Sequence, residues 1–165
     1  MKVMVAIDGS ELAYEAAKRS RSLLAQASEV LVVAVVDEVP LLETSGVVGD
    51  GVGITTPVVV DEQMHAVEEL EKYLGEEAKR VVELFPGAKA LVERGAPGQT
   101  LCDVAAEQQV DVLVIGSHGR GAFKRMFVGS VSEHVIRHAP CPVLVIRAAL
   151  VEHPDADAGS ESQES

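Results

Sequence analysis

Asp111-Val112-Leu113-Val114-Ile115-Gly116-Ser117-His118-Gly119-Arg120-Gly121-Ala122-Phe123-Lys124-Arg125-Met126-Phe127-Val128-Gly129-Ser130 reads as a strand, a glycine-bearing loop and the start of a helix. Asp111 to Ile115 carries an apolar run of strand length with no alternating polar face, the mark of a strand covered on both sides. Helical sequence follows over residues 130–138 until Pro140 stops it, and Val143-Leu144-Val145-Ile146 is a second run of the same kind. Two buried strands flanking one helix predict a parallel pair joined by a right-handed crossover.

Working outward from that unit, the pattern repeats. Val3-Met4-Val5-Ala6-Ile7 is a buried strand that ends in Asp8-Gly9-Ser10. Ala13, Ala16, Ala17, Ser20, Leu24 and Ala27 then keep a helical period over residues 11–27, with Ser10 placed as N-cap. Residues 30–36 are an unbroken apolar strand. Val67, Leu70, Leu74, Ala78, Val81 and Phe85 define a long helix over residues 61–85, whose other face is loaded with glutamates. A short strand over residues 89–93, a turn at 95–98 and a helix from Leu101 to about Gln109 complete the count. Five strands alternating with four helices specify a single doubly wound, Rossmann-like α/β domain with a parallel sheet, expected in the order 3-2-1-4-5.

Composition agrees with this and narrows function. At 165 residues the chain is one domain in length; it is 47% apolar yet only 3% aromatic and lacks Trp, so Val, Leu, Ile and Ala must build the core. A net charge of -12 argues against nucleic acid and anionic membranes as partners, since both are bound through an excess of Lys and Arg. Cys102 and Cys141 have no Cys-x-x-Cys spacing and are expected to be reduced, packed thiols. Without a signal-like cleavage site after Met1 to Ile7, or an apolar run long enough to span a bilayer, the expected location is the cytoplasm.

Two segments stand outside the alternating pattern. Residues 39–60 carry Gly46, Gly49, Gly51 and Gly53 and are longer than an ordinary connection, as lids, partner contacts and disordered segments are, and mobility is expected there. Residues 148–165 hold five acids and no Lys or Arg among Pro, Gly, Ser and Asp, the composition of a disordered, solvated tail. The folded domain is therefore expected to end at residue 147.

In an open parallel sheet, ligands bind beyond the carboxyl ends of the strands, where the strand order reverses. The segment after the fourth strand has the matching chemistry. Glycines let backbone N–H groups approach an anion, and the following helix start adds unpaired donors and a partial positive charge. No carboxylate occurs between Val112 and Ser132, whereas Arg120, Lys124 and Arg125 do, which makes a basic island in an acidic chain.

Gly116, two residues, Gly119, nine residues and then Gly129-Ser130 is a spacing in which the chain resembles the ATP-binding members of the universal stress protein family. The resemblance extends over residues 1–147, from the opening strand with its Asp-Gly-Ser turn to Ala139-Pro140-Cys141-Pro142 and the closing strand. It implies that Asp8 lies near the ribose and metal end of ATP and that the backbone at Val35 meets the adenine. It further implies that Ile115 and Gly116 line the nucleotide, that Gly119 approaches the phosphates, and that Gly129, Ser130 and Val131 cradle them. ATP with Mg²⁺ is the implied cofactor. A homodimer formed through the last strand, Val143 to Ile146, is the implied assembly, and an apolar edge strand is physically a ready pairing template.

Plainer readings stand beside the functional ones. Asp8 can simply bond its own turn. His118 has no serine, cysteine or acid at a catalytic spacing and reads as polar filler. His134 and His138 are i and i+4 on one helix, a spacing that can hold a metal, but no further ligand motif accompanies them. Three functions stay open at this point: a nucleotide-dependent regulator, a dimeric interaction module in which nucleotide is structural or absent, and a slow ATPase. The last lacks a Walker loop, a Ser-Gly-Gly-x-Asp-Ser loop or an obvious general base.

Overall fold

A computed structural model of the chain describes residues 1–37, 58–117 and 129–147, with residues 58–63 described through their backbone alone. The long connection expected at residues 39–60 and the acidic tail at 148–165 lie mostly or wholly outside the described residues.

Among the described residues five strands and four helices alternate: β1 Lys2–Ile7, α1 Glu11–Ser20, β2 Glu29–Val36, α2 Val58–Val82, β3 Lys89–Arg94, α3 Pro97–Glu107, β4 Val112–Gly116, α4 Ser130–His138 and β5 Val143–Ile146. The sheet is parallel throughout, in the order β3-β2-β1-β4-β5. That is the expected doubly wound order.

The absence of polar alternation in the strands is explained by a core on each face. Val3, Val5 and Ile7 of β1 pack with α1 and α2, including Ala13, Ala16, Ala17, Leu74, Ala78 and Val81. Met4 and Ala6, pointing the other way, pack with α3 and α4 through Leu101, Val104, Ala105 and Val135. Since adjacent strand residues alternate faces, a strand buried on both sides must be apolar at every position, and β1 is so from Val3 to Ile7.

Several helix boundaries differ from the sequence reading. The first helix ends at Ser20, not Ala27, because the chain there changes to mainly i→i+3 bonding: Leu23 and Ala27 N–H donate to Ser20 and Leu24 carbonyls at 2.9 Å each, and one i→i+4 bond, Leu24 N–H to the Ser20 carbonyl at 3.0 Å, remains. Its apolar period nevertheless continues, and Leu24 is buried. The second helix runs Val58–Val82, starting three residues before the expected 61 and ending three before the expected 85, where Leu84 and Phe85 N–H donate i→i+3 to the Val81 and Val82 carbonyls. The third begins at Pro97, inside the segment read as a turn, because proline suits the first helical position, where its missing N–H costs nothing.

Candidate functional site

Strand order reverses between β1 and β4, and the carboxyl ends of these two strands lie together. Val5 pairs with Val114, so Ile7 and Gly116, each two residues on, end neighbouring strands at one edge of the sheet. Ile7 also pairs with Ala34, which puts the next residues, Asp8 and Val35, at the same edge.

On the β1 side the turn is built by its own polar groups. Asp8 Oδ1 accepts from Ser10 N at 3.0 Å and from Ser10 Oγ at 2.6 Å. Ser10 Oγ in turn accepts from Ala13 N at 3.1 Å, the expected cap of α1. The turn-forming reading of Asp8 is thus realised, and it leaves the carboxylate at the carboxyl end of β1. Gly9 makes the bend at φ +80°, a backbone conformation suited to glycine. A further donor comes from α2: Tyr73 Oη bonds the Gly9 carbonyl oxygen at 2.7 Å.

On the β4 side two hydrogen bonds draw the start of α4 onto the strand. Gly129 N donates to the Ser117 carbonyl oxygen at 3.0 Å. Ser132 Oγ donates to the Gly116 carbonyl oxygen at 2.7 Å in a buried position. Ile115 is buried, Val131 packs against the α3–α4 core, and Ser130 is exposed at the first helical position. The α4 N-cap is Gly129, which has no side chain to satisfy the first-turn N–H groups.

Gly129 has φ -63°, open to any residue, and a Cβ built there meets nothing among the described residues closer than the Ser117 carbonyl oxygen at 3.9 Å. Neither its backbone nor its described neighbours require glycine. Close approach by a bound group does give a reason, and a helix N-terminus whose N-cap carries no side chain favours an anion. Gly119 and the basic residues Arg120, Lys124 and Arg125 lie outside the described residues, as does His118.

The family model described as the universal stress protein family matches residues 1–147. The chain belongs to the universal stress protein family. A universal stress protein of Methanocaldococcus jannaschii is 30% identical over 152 residues, covering 88% of this chain and 81% of that protein. The solved universal stress protein UspA from Lactobacillus plantarum superposes with TM-score 0.71 at 23% identity, over 89% of this chain and 97% of that one. A family member from Arabidopsis thaliana, solved with AMP bound, superposes with TM-score 0.59 at 20% identity over 94% and 96% of the two chains.

The structure therefore gathers Asp8, Val35, Ile115, Gly116, Gly129, Ser130 and Val131 at one edge of the sheet. Two contributors were missed from sequence, Tyr73 and Ser132. Ser132 could have been noticed as the second serine of Gly129-Ser130-Val131-Ser132, whereas Tyr73 is 64 residues from its partner and left no local signal. His134 and His138 stack, with ring centroids 4.3 Å apart, and His138 Nδ1 donates to the His134 carbonyl oxygen at 2.8 Å. Among the described residues no group of three or more His, Cys, Asp or Glu is placed to hold a metal ion. Burial pushes the thiols of Cys102 and Cys141 up from the ordinary value, which disfavours the reactive thiolate. None of the described helices is long and apolar enough to cross a membrane.

Proposed function

We propose that this universal stress protein is a cytoplasmic, nucleotide-dependent regulator that binds ATP with Mg²⁺ at the carboxyl edge of its sheet. The observation that carries the reading is Gly129: a helix N-cap without a side chain, at the strand-order reversal, whose glycine no described neighbour explains. Phosphates would take the N–H groups of Ser130 and Val131 at the α4 start, with Gly119 approaching from the preceding loop. Asp8 would face the ribose and metal end, Val35 the adenine, and Ile115 and Gly116 the body of the nucleotide. The family member solved with AMP supports an adenine nucleotide as the class of ligand. Binding would set the shape of the loop and of the dimer for a protein partner.

The proposed dimer forms through β5. Among the described residues this strand is bonded to β4 on one side only, and Val143, Leu144 and Val145 are incompletely buried in the single chain. An apolar edge of this kind is a pairing template. A dimeric mass by light scattering at micromolar concentration is the expected result, and a monomeric mass overturns this part of the reading.

The nucleotide part is tested by Gly129→Glu and Gly119→Glu, each of which puts a carboxylate where phosphates would lie. Folded variants that lose ATP affinity support the proposal. A folded variant with unaltered affinity counts against it.

A further inference from the structure

We infer that Tyr73 is a positioning residue for the nucleotide cleft, holding the Asp8-Gly9-Ser10 turn from the neighbouring helix; this deepens the ATP-binding reading and rests on it.

Three hydrogen bonds make the turn one unit. Asp8 Oδ1 holds both Ser10 N and Ser10 Oγ, and the residue between them carries the Gly9 carbonyl that Tyr73 Oη bonds at 2.7 Å. Gly9 at φ +80° has no side chain to fix its orientation against neighbours, so the direction of its carbonyl depends on what bonds it. Rotation of that peptide would move the Asp8 carboxylate, because the Ser10 N–H that Asp8 holds belongs to the same peptide group.

The same helix holds the next part of α1. Arg80, seven residues after Tyr73 and so about 10 Å further along α2, donates to Glu11 Oε1 at 2.7 Å and lies 3.8 Å over the Tyr14 ring. Tyr73 and Arg80 thus fasten α2 to the turn and to the helix it opens at two separate points. Tyr73 is 44% exposed, so water could replace the lost partner and folding has little at stake in this one hydroxyl. What the bond supplies is a fixed carbonyl at the cleft.

The test is calorimetric titration with ATP and Mg²⁺ of the wild type, Tyr73→Phe, Asp8→Asn and the double variant, with a thermal melt of each nucleotide-free protein. Phenylalanine keeps the ring and removes only the oxygen. A positioning role predicts ATP binding about five-fold weaker in Tyr73→Phe, the effect of losing one hydrogen bond, with a melting temperature within about 2 °C of wild type. It also predicts that Tyr73→Phe has a smaller effect in the Asp8→Asn background, because the charge that Tyr73 helps to position is gone. Equal affinity of Tyr73→Phe and wild type overturns the inference alone. An equal loss in both backgrounds also overturns it, by showing that Tyr73 does not act through Asp8. A wild type that does not bind ATP overturns the ATP-binding reading and the inference together.

Discussion

Ser132 Oγ donates to the Gly116 carbonyl oxygen at 2.7 Å, tying the first turn of α4 to the last residue of β4. A second bond, from Gly129 N to the Ser117 carbonyl oxygen at 3.0 Å, joins the same two elements just beyond the strand. Ser132→Ala leaves a buried carbonyl without its donor and is expected to cost about 1–3 kcal/mol. Urea unfolding reads this directly, and an unchanged midpoint would show that the bond contributes nothing to holding α4.

Packing of α4 on α3 depends on Gly98. A Cβ there would come within 2.8 Å of His134 Cγ and 2.9 Å of His134 Cβ, distances that force the helices apart or the ring out of place. Gly98→Ala is expected to destabilise by about 1–3 kcal/mol, as overpacking does. Adding His134→Ala should relieve the clash, so the double variant should lose less than the two single losses combined. Strict additivity in denaturant melts would contradict the contact.

The Glu11–Arg80 pair gives a small acid-side dependence. Arg80 hydrogen-bonds Glu11 and holds its carboxyl below the ordinary value of 4.5, and the same bond pushes the guanidinium further up. A lowered folded-state value means that the stabilisation is complete above the ordinary glutamate range and is lost as pH falls through the lowered one. Both side chains are substantially exposed, so Glu11→Gln is expected to cost only about 0.2–1 kcal/mol at neutral pH. The gap between variant and wild type should close as pH falls through the lowered value, where the wild-type carboxyl itself takes up its proton. A gap that persists undiminished there would mean that charge is not its source.

Most of the fold was legible in the strands. Runs such as Val3 to Ile7 have no polar position to spare, because each face meets a helix layer, and β5 fell where its apolar run did. Helix ends were harder. Ser20, Leu24 and Ala27 keep a helical period while the backbone tightens to i→i+3 bonds, so side-chain pattern alone could not locate the end of α1. Pro97 and Gly98 look like a turn by composition, yet proline opens α3 and glycine there makes room for His134.

The candidate site was legible where one segment carries it, as at Gly116 and Gly129-Ser130, and where a short turn does, as at Asp8. Tyr73 was not, because α2 reaches Gly9 only once the sheet has formed and brought residues 64 apart into contact. Long-range hydrogen bonds leave no periodic trace in a sequence.

The central claim is that the carboxyl edge of the sheet holds an adenine nucleotide. Denaturing the purified protein, identifying any released nucleotide, and titrating the emptied, refolded protein with ATP, ADP and AMP by calorimetry tests it most directly. ATP bound at close to one per chain is the predicted result; binding of none of the three would contradict the account and leave a nucleotide-free interaction module as the better reading.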